Sequence, residues 1–249
     1  MVCARRVAGA ALCGELEVRL ASAAASRLPQ HVSATQAVMI VALCAALNVF
    51  GGFAAKTLSI PFLYLDTVGT FVAAVLLGPW WAAAAGASYN VVANFTFDPT
   101  TWPFAIVSVI VGLLWGYGLR RFGLGRSAWS FLGLGLVIAV VSSVVASAVV
   151  LFFFAGATGS ASDAITLILE LTGMNLGLAV FFSNLISNAA DKLIAGSLGL
   201  ALVRALPGTY LAGVRLPSQS RFGLLGTTAV GIAVGLGFGV VALLWPKAA

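Results

Sequence analysis

Asp66, Asn90 and Asn94 are groups through which this chain could hold a small polar molecule. They sit in the stretch LYLDTVGTFVAAVLLGPWWAAAAGASYNVVAN, residues 63–94. A carboxylate precedes a long apolar run, Gly78-Pro79 breaks it, and a second apolar run ends in two amides one helical turn apart, with Tyr89 beside them. Polar groups in such apolar company mark a place where something polar is received, because hydrocarbon offers them no partner. Asp98, Thr100, Thr101 and Trp102 follow directly, so amides, carboxylates and aromatic rings gather on one rim. Such a set suits a small polar ligand with a flat ring: the rings stack and the amides fix orientation. A second set lies further on. Asn184, Asn188 and Asp191, at i, i+4 and i+7, fall on one helical face, flanked by Ser183 and Ser187. Asn175, at the start of the same segment, meets Asn90, Asn94, Trp102 and Asn184 at one level if the segments alternate in direction.

Each of these residues also has a purely structural reading. Asn184 and Asn188 fit interhelical glue as well as a cavity wall, since amides commonly bond across membrane helices. Asp66 fits a helix N-cap, being a favoured capping residue just before a helical run. Trp102 fits the interfacial aromatic belt. Asp191-Lys192 is expected at the cytoplasmic edge of its span as an anchor, where Lys can snorkel and where sequence neighbours do not face each other.

The elements that must position these groups are membrane helices. Hydrophobic residues make up 61% of the chain and charged ones 8%, and several apolar runs exceed the roughly 18 residues that indicate a spanning helix. The fold class expected is an all-α polytopic membrane protein, since the alternation of a transmembrane barrel is absent. The spans are expected at 35–55, 66–77 (short for a span), 79–97, 103–119, 129–155, from 174 to between 191 and 206, and 223–245. Arg5, Arg6, Arg19 and Arg27 precede the first, Arg120, Arg121 and Arg126 follow the fourth, and Arg204, Arg215 and Arg221 follow the sixth. All three groups fall on one side if the spans alternate, so the positive-inside rule predicts a cytoplasmic N terminus and an external C terminus in the cell membrane.

The same pattern excludes other classes. The net charge of +6 is spread over short loops and is not a nucleic-acid footprint. No phosphate-binding glycine loop, no paired catalytic carboxylates and no metal-ligand spacing occur, so neither an enzyme nor a cofactor is expected. Cys3, Cys13 and Cys44 form no disulfide framework, and His31 stands alone. Residues 1–33 are expected as a cytoplasmic arm, since Glu15 and Glu17 cut short the apolar part of a signal peptide. A bundle at 34–207, a cytoplasmic loop at 208–222 and an extra helix at 223–249 complete the organisation. Small residues four apart mark close packing at Gly231, Gly235 and Gly239, at Gly112 and Gly116, and at Ala42 and Ala46.

Three stretches together, YLDTVGTFVAAVLLGPWWAAAAGASYNVVAN, DPTTWPFAIVSVIVGLLWGYGLRR and NLISNAADKLIAGSLGLALVRALP, resemble the membrane-embedded substrate-binding subunits, or S components, of energy-coupling factor transporters. The resemblance covers about 37–207 and its motifs are loose. It implies a six-helix bundle that captures a vitamin or related micronutrient outside. A transmembrane coupling protein and two ATPase subunits then drive its delivery, with the bundle toppling in the membrane. It also implies that an Ala-x-x-x-Ala face on the first helix, here Ala42 and Ala46, meets the coupling protein. The long arm and the seventh span depart from that pattern. A sensor module and a stand-alone secondary transporter remain as alternatives; no output domain follows the bundle, and no inverted repeat with broken helices is visible in the sequence.

Overall fold

A computed structural model describes residues 32–58, 63–160 and 162–207, with isolated positions beyond them. The N-terminal arm, His31, Cys3, Cys13, and the extra helix at 223–249 with its glycine stripe lie essentially outside the described residues. Among those described, the chain is all helical. The helices are α1 (Ala34–Thr57), α2 (Val68–Leu76), α3 (Pro79–Thr96), α4 (Ala105–Arg120, entered through a short 3-10 turn at Trp102–Phe104), α5 (Ala128–Phe154), α6 (Ser162–Leu171) and α7 (Leu176–Arg204). Four are long and apolar enough to cross a membrane by length and composition: α1, α4 with its leading turn, α5 and α7. Large apolar side chains cover the exterior, among them Phe50, Phe95, Trp129 and Phe152, while polar residues are buried within. That inversion is what a hydrocarbon surrounding demands.

Local chemistry sets the helix ends. Ser33 with Gln36, and Ser127 with Ser130, form reciprocal capping boxes at the starts of α1 and α5, satisfying donors that no helical carbonyl reaches. Gly78 adopts φ 101° and Pro79 occupies the first turn of α3, so the chain reverses there at little steric cost. Gly112 and Gly116 of α4 lie where a Cβ would strike the backbone of Ala82, Ala83 and Pro79, which brings α3 and α4 into close contact as their spacing predicts.

Two elements differ from expectation. The second segment is a helix of only nine residues, about 13 Å long against a hydrocarbon core of roughly 30 Å, and all nine are buried. It cannot span; it is a half-helix inside the bundle. Its start lies against Asn48 of α1, whose Oδ1 accepts from Gly69 N (2.7 Å) and Thr70 N (3.3 Å) and whose Nδ2 donates to Thr70 Oγ1 at 2.9 Å. Its end is held by Arg120, which donates to the carbonyls of Ala74, Val75 and Leu76 at 3.2, 2.6 and 2.8 Å. The other difference is α6, which sequence reading leaves as a loop. It buries Thr166 and Leu169, with Leu169 packed among Ala179, Phe182 and Leu185 of α7.

The interior divides in two. Toward the end of the bundle that carries Arg120 and Arg204, Phe71, Trp115 and Phe131 pack with ring centroids 4.9 to 5.9 Å apart in an apolar core that also holds Val111, Ile138 and Val203. The other half is polar and hollow.

Candidate functional site

The hollow is a cavity of about 130 Å³ bounded by the chain just before α2 and by α3, α4, α5 and α7. Asp66, Asn90, Asn184 and Asn188 line it, together with Tyr64, Thr67, Tyr89, Thr101, Phe104, Ser108 and Lys192. Val111 forms its floor above Trp115, one helical turn further along α4. Toward the opposite end a second space of about 430 Å³ adjoins it, lined by Gly52, Lys56, Pro99 and Gly159 and sharing Tyr64, Tyr89, Asp98, Thr100, Thr158 and Ser160 with the first. The inner cavity therefore has a vestibule at the end away from the arginines.

Asp191 positions one wall. It was expected at a membrane edge, but it stands near the middle of the 29-residue α7 and is 0% exposed, with Lys192 at 3%. Asp191 Oδ1 accepts from the backbone N–H of Tyr64 (2.9 Å) and Leu65 (2.8 Å). Leu65 takes φ 53°, a left-handed conformation costly for a bulky residue, and the two successive N–H groups cradle the carboxylate oxygen. Extended backbone can lie at such depth only where its polar groups find protein partners; Asp191 supplies them. Its Oδ2 accepts from Lys192 Nζ at 2.6 Å. Adjacent helical residues do not ordinarily pair, but the flexible lysine stem reaches back, and Nζ also lies 3.4 Å from Thr67 Oγ1. Asn184, Asn188 and Lys192 thus form the cavity-lining stripe at four-residue spacing, while Asp191 faces the entering chain.

Asp66 is not a helix cap: Thr67 occupies that position in α2 and makes no side-chain capping bond. Asp66 Oδ1 lies 3.6 Å from Lys192 Nζ, too far for a hydrogen bond, and it is buried with no hydrogen-bond partner. The amides are oriented by the helices that carry them. Asn90 Nδ2 donates to Gly86 O (3.0 Å) and Ser108 Oγ (2.6 Å), Asn184 Nδ2 to Val180 O (3.0 Å) and Ser147 Oγ (3.2 Å), and Asn188 Nδ2 to Asn184 O (2.9 Å). Asn184 therefore ties α7 to α5 and also lines the cavity.

The remaining expected site residues lie elsewhere. Asn94, on the same face of α3 as Asn90, is half-buried with its Oδ1 unpartnered, but it lines neither space. Trp102 is 56% exposed and meets Phe153 edge-on at 5.5 Å, as an aromatic belt residue would. Asn175 is the N-cap of α7, accepting from Leu178 N at 3.0 Å. At the vestibule Lys56 pairs with Asp98 at 2.8 Å. Burial pushes the Asp98 carboxyl up, but hydrogen bonds from Lys56 and Thr100 outweigh it and hold the group below the usual carboxylate range.

No protein-family model matches the chain, and neither a curated protein nor a solved structure matches it significantly.

Sequence reasoning missed Asn48, Tyr64 and Ser108, and took Lys192 for an anchor. Asn48 carried a usable signal, an amide in the middle of an apolar run. Tyr64 carried none, because only the path of the chain into the bundle brings it to the cavity. Ala42 and Ala46 lie exposed on α1, along an apolar groove shared with Val49, Phe50 and Val92.

Proposed function

We propose that this chain is the membrane-embedded capture subunit of an importer of the energy-coupling factor type, binding a small polar micronutrient from outside the cell. The observation that carries the reading is a cavity lined by polar side chains, with a vestibule, at one end of the bundle and an apolar aromatic core, Phe71, Trp115 and Phe131, at the other. Positive-inside reasoning puts the arginine end in the cytoplasm and the vestibule outside. In this reading α1 to α5 and α7 make up the six-helix bundle, with α2 reduced to a half-helix and the segment 223–249 an addition. A solute that enters from the vestibule finds an apolar barrier beneath it. Its release inward then requires rearrangement, which partners holding an ATPase would drive.

Ligand binding tests the reading directly. Small molecules that co-purify with the full-length protein should be released on denaturation and identified by mass spectrometry. The identified solute should bind Asn184→Ala about five- to thirtyfold more weakly in a calorimetric titration, the loss of one hydrogen bond. Ser142→Ala should match the parent, because Ser142 bonds only its own helix, at Ile138 O. Unchanged affinity in Asn184→Ala would move the site elsewhere.

Partner docking has its own test. With both Ala42 and Ala46 replaced by Trp, uptake in cells should be lost while solute binding to the purified protein persists, since both side chains lie outside the cavity and bulk there separates close-packed helices. Loss of binding and uptake together would argue against a docking face.

One observation favours a second reading. A half-helix that begins at mid-depth beside a polar cavity is a device of secondary transporters that work alone. Proteoliposomes containing only this chain distinguish the two: solute accumulation without ATPase partners would favour the stand-alone transporter.

A further inference from the structure

We infer that the cavity selects a compact organic cation, one nitrogen-bearing ring with N–H donors, held against Asp66. The inference rests on the reading of this cavity as a solute site. It starts from the hydrogen-bond inventory of the wall. The amide nitrogens of Asn90, Asn184 and Asn188 each donate to the backbone carbonyl four residues earlier. A carbonyl can only accept, so these amides cannot be turned around, and their oxygens are the atoms left over. Among the described residues no hydrogen bond reaches any of those three oxygens. Asp66 Oδ1 is likewise unmet. The wall therefore offers a carboxylate and three amide acceptors, and a complementary ligand must bring donors.

Charge points the same way. The ionic groups that line or directly back the two spaces are Asp66, Asp98, Asp163, Asp191, Lys56 and Lys192. Four acids against two bases leave a local charge of −2 in a chain whose net charge is +6. Lys56 pairs with Asp98 at 2.8 Å, and Lys192 is shared unequally, at 2.6 Å from Asp191 and 3.6 Å from Asp66, so one ammonium serves two carboxylates and Asp66, which lines the inner cavity, is the less well compensated of the two. A buried carboxylate in that state favours a cation beside it. Tyr64, Tyr89 and Phe104 add aromatic rings to the lining, and such rings attract cations as well as flat rings. Size completes the description: a cavity of about 150 Å³ is known to admit a single benzene ring, and this one measures about 130 Å³.

Three probes of nearly one shape test charge separately from fit: benzamidinium, benzamide and benzoate. Each is titrated against the purified full-length protein in detergent, by calorimetry and by thermal shift. Benzamidinium should bind at least about tenfold more tightly than benzamide, as expected when complementary charge is desolvated, and benzoate should not bind. Asp66→Asn should reduce benzamidinium affinity to that of benzamide. Equal or tighter binding of benzoate, or full benzamidinium affinity in a folded Asp66→Asn, would overturn the cation assignment and leave the cavity a solute site. If none of the three binds, the single-ring cation is ruled out, and the binding reading then stands or falls on the co-purified solute alone. The wild-type series needs no variant, so an Asp66→Asn protein that fails to fold leaves the test intact.

Discussion

Asp191→Ala should be the most damaging single substitution in the bundle. It would remove the closer of the two carboxylates that Lys192 meets in the interior, leaving Asp66 at 3.6 Å, and strip the partner from two backbone N–H groups, those of Tyr64 and Leu65. Removing one member of a buried ion pair typically costs about 3–5 kcal/mol, a large share of the stability of most domains. The expected result is loss of a monodisperse peak on size exclusion in detergent and a thermal midpoint lowered by many degrees. The double variant Asp191→Ala, Lys192→Met should recover part of the loss, because the ammonium that lost its nearest carboxylate is removed too, although Asp66 then loses its neighbour at 3.6 Å. Recovery should stay incomplete, since the two N–H groups remain unsatisfied at about 1–3 kcal/mol each. An interfacial anchor would behave otherwise: an exposed pair contributes about 0–1 kcal/mol. A mild effect of Asp191→Ala would therefore return the pair to the membrane edge.

The second large effect is expected at Arg120. Its guanidinium closes the C-terminal end of the half-helix α2 by donating to three successive carbonyls, Ala74, Val75 and Leu76. A cation there also complements the helix dipole. Arg120→Met should lower stability by about 2–3 kcal/mol, the scale of hydrogen bonds from a charged donor, less what water returns at this half-exposed position. Arg120→Lys should fall between the two, because a point charge cannot reproduce a planar fork of donors. Thermal unfolding of the three proteins in one detergent makes the comparison. A lysine variant as stable as the parent would mean that charge at this end matters and the fork does not.

Both effects concern the half-helix, and there the reading of the sequence and the fold diverge. The break at Gly78-Pro79 is plain from residue types alone, because it depends on backbone preferences of a few adjacent residues. The apolar run after Asp66 is visible in the sequence and predicts a short span, where the structure has a half-helix. Its true length depends on where the preceding chain turns inward, and that depends on Asn48 and Asp191, more than 15 residues away on either side. The short α6 is not legible in the sequence, because ten residues with two buried positions carry little periodic signal.

The candidate site divides along the same line. Asn90, Asn184 and Asn188 could be singled out because an amide in an apolar helix must find a partner wherever it lies, and spacing alone put Asn184 and Asn188 on one face. Asn94 shares a helical face with Asn90 by spacing, but the cavity ends a turn short of it, and spacing along one helix carries no information about where a neighbouring helix ends.

Sequence alone, then, determined the solvent and the material: apolar helices long enough for a membrane, and a small set of amides and carboxylates that hydrocarbon would not leave unpartnered. Those properties are local, written in residue type and in periods of three to four. Only the tertiary structure decided that the chain re-enters the bundle before α2, that Asp191 accepts from the backbone of Tyr64 and Leu65, and that Lys192 stands beside the cavity between Asp191 and Asp66. Each of these rests on a contact between residues more than a hundred positions apart, and the partner of a buried charge is set by which helices pack together.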